Sequence, residues 1–285
     1  MPLIGAHVSM AGGIWNAPAN AAAEACECFQ LFTRSPRGGK ALPLTRDVVA
    51  RFREQCDVYH QQCWVVHTPY YINLASPDAT TRRNSGRIIR EELDRASALG
   101  ALAVMTHLGS AKEVGRERGV TLVIDGLVKA LRTYNGTAQF CIEIAARAGA
   151  ILGDTFEEIA TIIEGVERRL PNPSRNGSMK VCFDTQHAFA SGYDLRTPRA
   201  VNTTLKRFDT TIGLNRLACV HIQDSKVQLG AHRDRHEHIG KGHIGATGLR
   251  AFVRHKAMRH LPLILETQTD GRKRDIVALK KFRDV

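Results

Sequence analysis

The sequence predicts an α/β fold, a (β/α)8 or TIM barrel built as a single domain over residues 1–285. Three observations predict it. Eight short, mostly apolar runs recur along the chain, and helix-like stretches lie between most of them. The spacing, about 36 residues per unit, fits a barrel of about 250 residues. A doubly wound open sheet would use fewer strands and usually a glycine-rich first turn. The segment Ser9-Met10-Ala11-Gly12-Gly13 is not a dinucleotide fingerprint.

The elements follow in order. Leu3–Val8 is the first run, and the Ala-rich stretch Asn16–Glu27 the first helix, since alanine is the best helix former. Cys28–Phe32 is the second strand. Thr45–His60 opens with Thr45 and Asp47 and sets Val48, Val49, Phe52 and Val58 among polar residues, as an amphipathic helix does. Cys63–His67 is the third strand. Arg82–Leu99 carries Ile88, Ile89, Leu93, Ala96 and Leu99 near the helical period. Ala101–His107 and Ala138–Ile144 are the fourth and fifth strands. Thr155–Leu170 starts with Thr155 and Glu158 at capping-box spacing. Met179–Asp184, the helix Pro198–Phe208, Leu217–Ile222, the helix Ala246–Met258, Leu261–Thr267 and a basic amphipathic tail from Arg274 complete the series. The strand runs are brief and rich in β-branched and aromatic residues, as strands buried on both faces are.

Composition narrows the function. The chain is 43% hydrophobic and 24% charged, which excludes a chain disordered throughout. No apolar run nears the roughly 18 residues that span a bilayer, so no membrane span is expected. The first basic residue is Arg34, so a signal or transit peptide is not expected, and an intracellular protein (cytoplasm, nucleoid or nucleus) is. The net charge is +12 and the pI about 9.7. Such a charge points to a polyanionic partner, nucleic acid first. The seven cysteines are odd in number. They read as small buried hydrophobes, not a disulfide framework. Cys26 and Cys28 are too close for a zinc knuckle.

Chemistry gathers at the carboxyl ends of the runs, where barrel enzymes keep their active sites. The third run ends in His67 and the fourth in His107. The fifth carries Glu143, the sixth ends in Asp184 with His187 three residues on, the seventh reaches His221, and the eighth carries Glu266. Imidazole and carboxylate without thiolate suit Zn²⁺, Mn²⁺ or Fe²⁺. So many ligand-type residues exceed one metal's needs, which implies two or three metals and the paired-metal device of phosphoester hydrolysis. A second cluster, His232-Arg233-Asp234-Arg235-His236-Glu237-His238, follows the seventh run. Asp234 and His236 fall on one side of an extended segment and with His187 would make a three-ligand site. By itself the loop fits a solvated basic surface equally well.

The residues resemble the endonuclease IV family, metal-dependent apurinic/apyrimidinic endonucleases of base-excision repair. The matching segments include Gly5-Ala6-His7-Val8-Ser9, Phe32-Thr33 leading to Arg37, His67 through Tyr70 to Asn73-Leu74, and His107-Leu108-Gly109-Ser110. Further on come Asp184-Thr185-Gln186-His187-Ala188-Phe189-Ala190 with Gly192-Tyr193-Asp194, then His221-Ile222-Gln223-Asp224-Ser225-Lys226, Asp234-Arg235-His236 and Leu265-Glu266-Thr267. The matches are collinear over nearly the whole chain.

The resemblance implies a trinuclear zinc site, with Mn²⁺ or Fe²⁺ as possible substitutes. By motif position His67, His107 and Glu143 would hold one ion. Glu143 would bridge to a second held also by Asp184, His221 and Glu266, and His187, Asp234 and His236 would hold the third. All nine family positions are filled. The implied reaction is DNA repair: hydrolysis of the phosphodiester 5′ to an abasic site in duplex DNA, leaving a 3′-hydroxyl and a 5′-deoxyribose phosphate. Glu266 and Glu143 are the catalytic candidates, Glu266 to orient or deprotonate the attacking water. Removal of 3′-blocking groups accompanies the activity in the family, and a monomer is expected. Arg37 matches the family position that enters the minor groove, Tyr70 the aromatic inserted at the lesion, and Tyr71 another expected wedge. The basic loop Arg34–Lys40 carries Arg37. Lys112, Arg116, Arg118, Lys226, Arg233, Arg235 and Lys241 are candidate phosphate contacts or solvated charges.

Three departures from the family stand out. Ile144-Ala145-Ala146-Arg147 replaces a usual Asn-Thr-Ala-Gly, adding a positive charge near the mouth. Leu108 replaces Pro, and Gln186 a common Cys. Two rivals share the barrel and its strand-end ligands. A one-metal sugar-phosphate isomerase or epimerase has no need of Asp234 and His236 or of the +12 charge. A catalytically inactive abasic-DNA sensor would be expected to have lost ligands.

Overall fold

A computed structural model describes residues 1–170 and 179–284; Val285, the last residue of the domain expected from sequence, lies outside them. Eight parallel strands carry the barrel: β1 (Leu3–His7), β2 (Cys28–Leu31), β3 (Cys63–His67), β4 (Ala103–Thr106), β5 (Gln139–Glu143), β6 (Lys180–Asp184), β7 (Leu217–His221) and, after a short antiparallel pair β8 (Asp224–Ser225) and β9 (His236–Glu237), β10 (Pro262–Leu265). Their order around the closed sheet is β1-β10-β7-β6-β5-β4-β3-β2. Parallel pairing of Leu3–Ala6 with Pro262–Leu265 closes the ring. Each of the eight predicted runs holds one barrel strand, trimmed by no more than a residue or two at either end.

The helices are α1 (Ala17–Ala23), α2 (Arg46–Val58), α3 (Ala79–Leu99), α4 (Arg116–Leu131), α5 (Phe156–Glu167), α6 (Thr185–Ala190), α7 (Pro198–Thr211), α8 (Gly245–Arg254) and α9 (Thr269–Asp284). Their starts show the local chemistry that places them. The Thr45, Asp78, Thr155 and Thr197 side chains each accept a backbone N–H from the first turn of α2, α3, α5 and α7, removing an orphan donor. The capping box at α5 forms by half. Thr155 Oγ1 takes the Glu158 N–H at 3.2 Å, but the Glu158 carboxylate reaches back to Gly153 N at 2.6 Å. The predicted Ala246–Met258 helix divides into α8 and a separate 3-10 turn, Lys256–Met258. Helices α4 and α6 have no counterpart in the sequence-based assignment. Among the described residues no helix is long and apolar enough to cross a membrane.

The barrel interior explains where the site lies. Cys28, Val65, Met105, Cys141, Cys182, Cys219 and Ile264 form one buried cluster inside the ring. Side chains alternate across a strand, so the residue two further on points inward again. From those seven positions that step reaches Gln30, His67, His107, Glu143, Asp184, His221 and Glu266. A small apolar floor and a polar ring above it are thus one pattern with period two. The cysteines are free, and burial pushes the Cys28 and Cys141 thiols well up. They serve as compact filler, as expected. The outer core packs strands against helices through Phe29, Phe52 and Trp64 on one side and Phe156, Phe183, Phe208 and Phe252 on the other.

Candidate metal centre

The polar ring converges on Glu143, which is fully enclosed. Its Oε2 lies 2.8 Å from His67 Nε2 and 3.5 Å from His107 Nε2. Its Oε1 lies 2.8 Å from His221 Nδ1 and 3.5 Å from His187 Nδ1. One carboxylate therefore faces two groups of histidines with its two oxygens. His221 Nδ1 also looks toward Asp184 Oδ2 at 3.7 Å and Glu266 Oε2 at 3.4 Å. The ligand atoms of His67, His107 and Glu143 fall within metal-binding reach of one another, and so do those of Glu143, Asp184, His221 and Glu266.

The third group owes its spacing to a helix start. Asp184 Oδ1 accepts the His187 N–H at 2.7 Å, capping α6. The cap sets the aspartate and histidine three residues apart with both buried. His187 Nε2 then lies 3.3 Å from Asp234 Oδ2, and His236 Nε2 3.2 Å from Asp234 Oδ1. His236, on β9, also approaches Asp184, which joins His187 and His236 as a metal-sized group.

Hydrogen bonds on the far side of each ring choose the nitrogen that is presented. The Nδ1–H groups of His67 and His187 donate to the carbonyls of Thr68 (2.6 Å) and Ile144 (2.9 Å), and His221 Nε2–H donates to Gln30 Oε1 (2.7 Å). Each leaves the opposite ring nitrogen aimed at the carboxylates, free to hold a proton or, once deprotonated, a metal ion, the arrangement of metal-ligating histidines. His187 Nε2 and His236 Nε2 stand only 3.5 Å apart. Two imidazole nitrogens face each other there, a placement that calls for a proton or a cation between them. No Lys or Arg pairs with Glu143, Asp184 or Glu266 among the described residues. The nitrogen and oxygen donors fit divalent ions of the zinc class. Cys182 and Cys219 also lie near His221. Both nitrogens of that ring are already engaged above them.

Electrostatics agree. Burial disfavours charge everywhere in the cluster and lowers His107 and His7 to about 4. For His187 and His221 burial is outweighed by carboxylates, Asp184 and Asp234 beside the first and Glu266 and Glu143 beside the second, so both rise well above the usual value. Glu143 drops well below the carboxylate range because His107, His221 and His187 outweigh its burial. Asp184 is raised by its own burial. These are carboxylates and imidazoles in want of shared positive charge.

Comparison with known proteins then decides the family. A family model described as a xylose isomerase-like TIM barrel matches residues 18–282. A protein of Chlorobium phaeobacteroides named "Probable endonuclease 4" is 42% identical over 287 residues, covering 100% of this chain and 99% of its own length. The chain belongs to the endonuclease IV family. The crystal structure of endonuclease IV from Thermus thermophilus superimposes with a TM-score of 0.84 at 29% identity, covering 99% of this chain and 98% of that one. A D-tagatose 3-epimerase-like protein superimposes with a TM-score of 0.72 at 17% identity, a likeness of fold alone.

In this endonuclease IV chain the aromatic and basic candidates stand on the same mouth loops. Tyr70 is 71% exposed, with its ring 5.3 Å from Phe32, and Tyr71 and Arg37 are also exposed. Arg34 opens the basic loop. It is only 5% exposed and pairs with Glu91 at 2.8 Å and with buried Glu92, so it anchors the loop. The exposed cations of that loop are Arg37 and Lys40. They line a groove of 1160 Å³ together with His7, Trp15 and Phe32. Of the departures, Gln186 is buried and donates to the Arg233 carbonyl at 2.9 Å, which pins the loop bearing Asp234. Leu108 packs in the core, and the Ile144 carbonyl receives His187.

Sequence reasoning missed Gln30. Buried in β2, it donates to Glu266 Oε1 at 2.6 Å, approaches His7 Nδ1 at 2.8 Å and accepts from His221. The signal was a polar residue two positions after Cys28, in step with the other strand ends. Gln30→Leu is expected to lower metal affinity or incision by about 10–100-fold, as loss of an outer hydrogen bond to a metal ligand does. Titration with divalent metals and incision rates check it, with circular dichroism to confirm the fold. Unchanged values in both would reduce Gln30 to packing.

Proposed function

We propose that this chain is a DNA-repair endonuclease that hydrolyses the phosphodiester 5′ to an abasic site in duplex DNA, leaving a 3′-hydroxyl and a 5′-deoxyribose phosphate. The same site would remove 3′-blocking groups, and the chain would act as a single barrel domain and a monomer. One observation carries the proposal: three ligand groups interlocked through Glu143 and Asp184 at one barrel mouth, in a member of the endonuclease IV family.

His67, His107 and Glu143 would hold one zinc; Glu143, Asp184, His221 and Glu266 a second; His187, Asp234 and His236 a third. Bound ions supply Lewis-acid charge for the phosphoryl group and lower the pKa of the attacking water. The chain's own residues do the rest. Glu266 has side-chain exposure of 18%, enough to meet water at the mouth. Gln30 holds its Oε1, so its carboxylate is oriented to accept the water's proton. Tyr70 and Tyr71 fill the space left by the missing base, and Arg37 reaches a groove of the duplex. The absent base makes the lesion the cheapest nucleotide to unstack.

The test is a gel assay on a duplex with one tetrahydrofuran abasic analogue, with and without 1,10-phenanthroline. The analogue cannot undergo β-elimination, so any nick is hydrolytic. The expected result is a single nick 5′ to the analogue that disappears with the chelator. Tight binding without a nick by zinc-replete protein would replace the proposal with an abasic-site sensor. Neither nick nor preferential binding would favour sugar isomerisation.

A further inference from the structure

Arg147, on the loop after β5, has a left-handed backbone with φ of 56°. Glycine takes that conformation freely and arginine seldom does, and such outliers concentrate at functional sites. The loop is held on both sides. Ala145 N donates to Gly153 O at 2.9 Å, and Ser191 Oγ donates to Ala145 O at 2.8 Å. The Ile144 carbonyl on the same loop receives His187.

The side chain is steered by a second feature. Arg147 Nε faces Asp154 Oδ2 at 3.3 Å, and Asp154 is fully buried. That oxygen has no hydrogen-bond partner besides this ionic contact. The other Asp154 oxygen binds Arg116, which also pairs with Glu158 at 2.7 Å. One buried carboxylate thus holds both Arg147, on the loop after β5, and Arg116, at the start of α4. Arg116 is occupied by its two acids. Arg147 is 45% exposed, and its two Nη groups have no partner among the described residues.

We propose that Arg147 binds a backbone phosphate of the DNA beside the His187–Asp234–His236 group, with Asp154 holding the guanidinium fork in place. A free, pre-oriented fork matches phosphate geometry better than a mobile lysine. The inference rests on the DNA reading above.

The test is kcat/KM for incision of the tetrahydrofuran duplex between 50 and 200 mM KCl, for wild type, R147G and R147K. Each phosphate contact contributes about 0.9 to the slope of log affinity against log salt. R147G is expected to flatten the slope by about that amount and lower kcat/KM several-fold at low salt, with kcat at saturating DNA and metal content unchanged. R147K is expected to keep the slope and fall between the two at low salt. R147G with the wild-type slope overturns the inference, whatever its melting temperature. If wild type itself neither nicks nor binds the duplex, the DNA reading fails instead.

Discussion

Glu143→Gln is expected to reduce incision by about 10³-fold or more and to strip metal from the protein. The substitution keeps the shape and removes the charge. In the native arrangement both Glu143 oxygens face imidazole nitrogens, Oε2 toward His67 and His107 and Oε1 toward His221. An amide offers one acceptor and one NH₂ group, so one side of the bridge would present hydrogens to histidine lone pairs. The two groups that share Glu143 would be damaged together. Removal of one electrostatic partner from a preorganised site already costs about 10²–10³, and this residue serves two groups. Incision rates and metal analysis of the purified variant check the prediction, with near-ultraviolet circular dichroism as the control for folding. Activity within tenfold of wild type at full metal content would remove Glu143 from the bridging role.

Much of this centre is legible in the amino-acid sequence. A strand-end histidine or carboxylate is visible because strand period and barrel polarity are both local rules. His67, Asp184 and His221 lie at the last strand positions, and Glu266 one residue beyond β10. Helix α4 was not legible. Its apolar residues Val123, Leu127, Val128 and Leu131 have helical spacing, but Gly119 and Gly126 break the propensity signal. Tertiary contact explains both glycines. A Cβ at Gly119 would meet Ala111 Cβ at 2.5 Å, and one at Gly126 would meet Leu74 Cδ2 at 2.8 Å.

Side-chain direction in loops was the other blind spot. Arg34 and Arg37 look alike in a basic loop, yet Glu92, which buries the first, lies on α3, far along the chain. Arg147 shows the converse. Its charge was visible near the mouth, but the Asp154 that aims it, seven residues on in the same loop, shows its burial and its second partner Arg116 on α4 only in the folded chain.

His236→Ala distinguishes a nuclease from an epimerase on the same barrel. A sugar epimerase needs one metal, and Glu143, Asp184, His221 and Glu266 make a complete four-ligand group for it. His236 touches that group only through Asp184, at 4.0 Å. Its nearer neighbours are Asp234 at 3.2 Å and His187 at 3.5 Å. One-metal chemistry would therefore survive the substitution almost unchanged. The nuclease reading requires the opposite. The Asp234 side chain is already 53% exposed, and without His236 it would be tethered through His187 alone, too few donors to retain a third ion. Metal content is expected to fall by about one equivalent, since a zinc site needs about four ligands, and abasic-site incision by about 10²-fold or more through lost stabilisation of developing charge. Metal analysis beside the gel assay reads both. A full metal complement with undiminished incision would detach His236 from the reaction. Because His236 lies on the two-residue strand β9, outside the barrel, the result would show whether that added ribbon carries part of the chemistry.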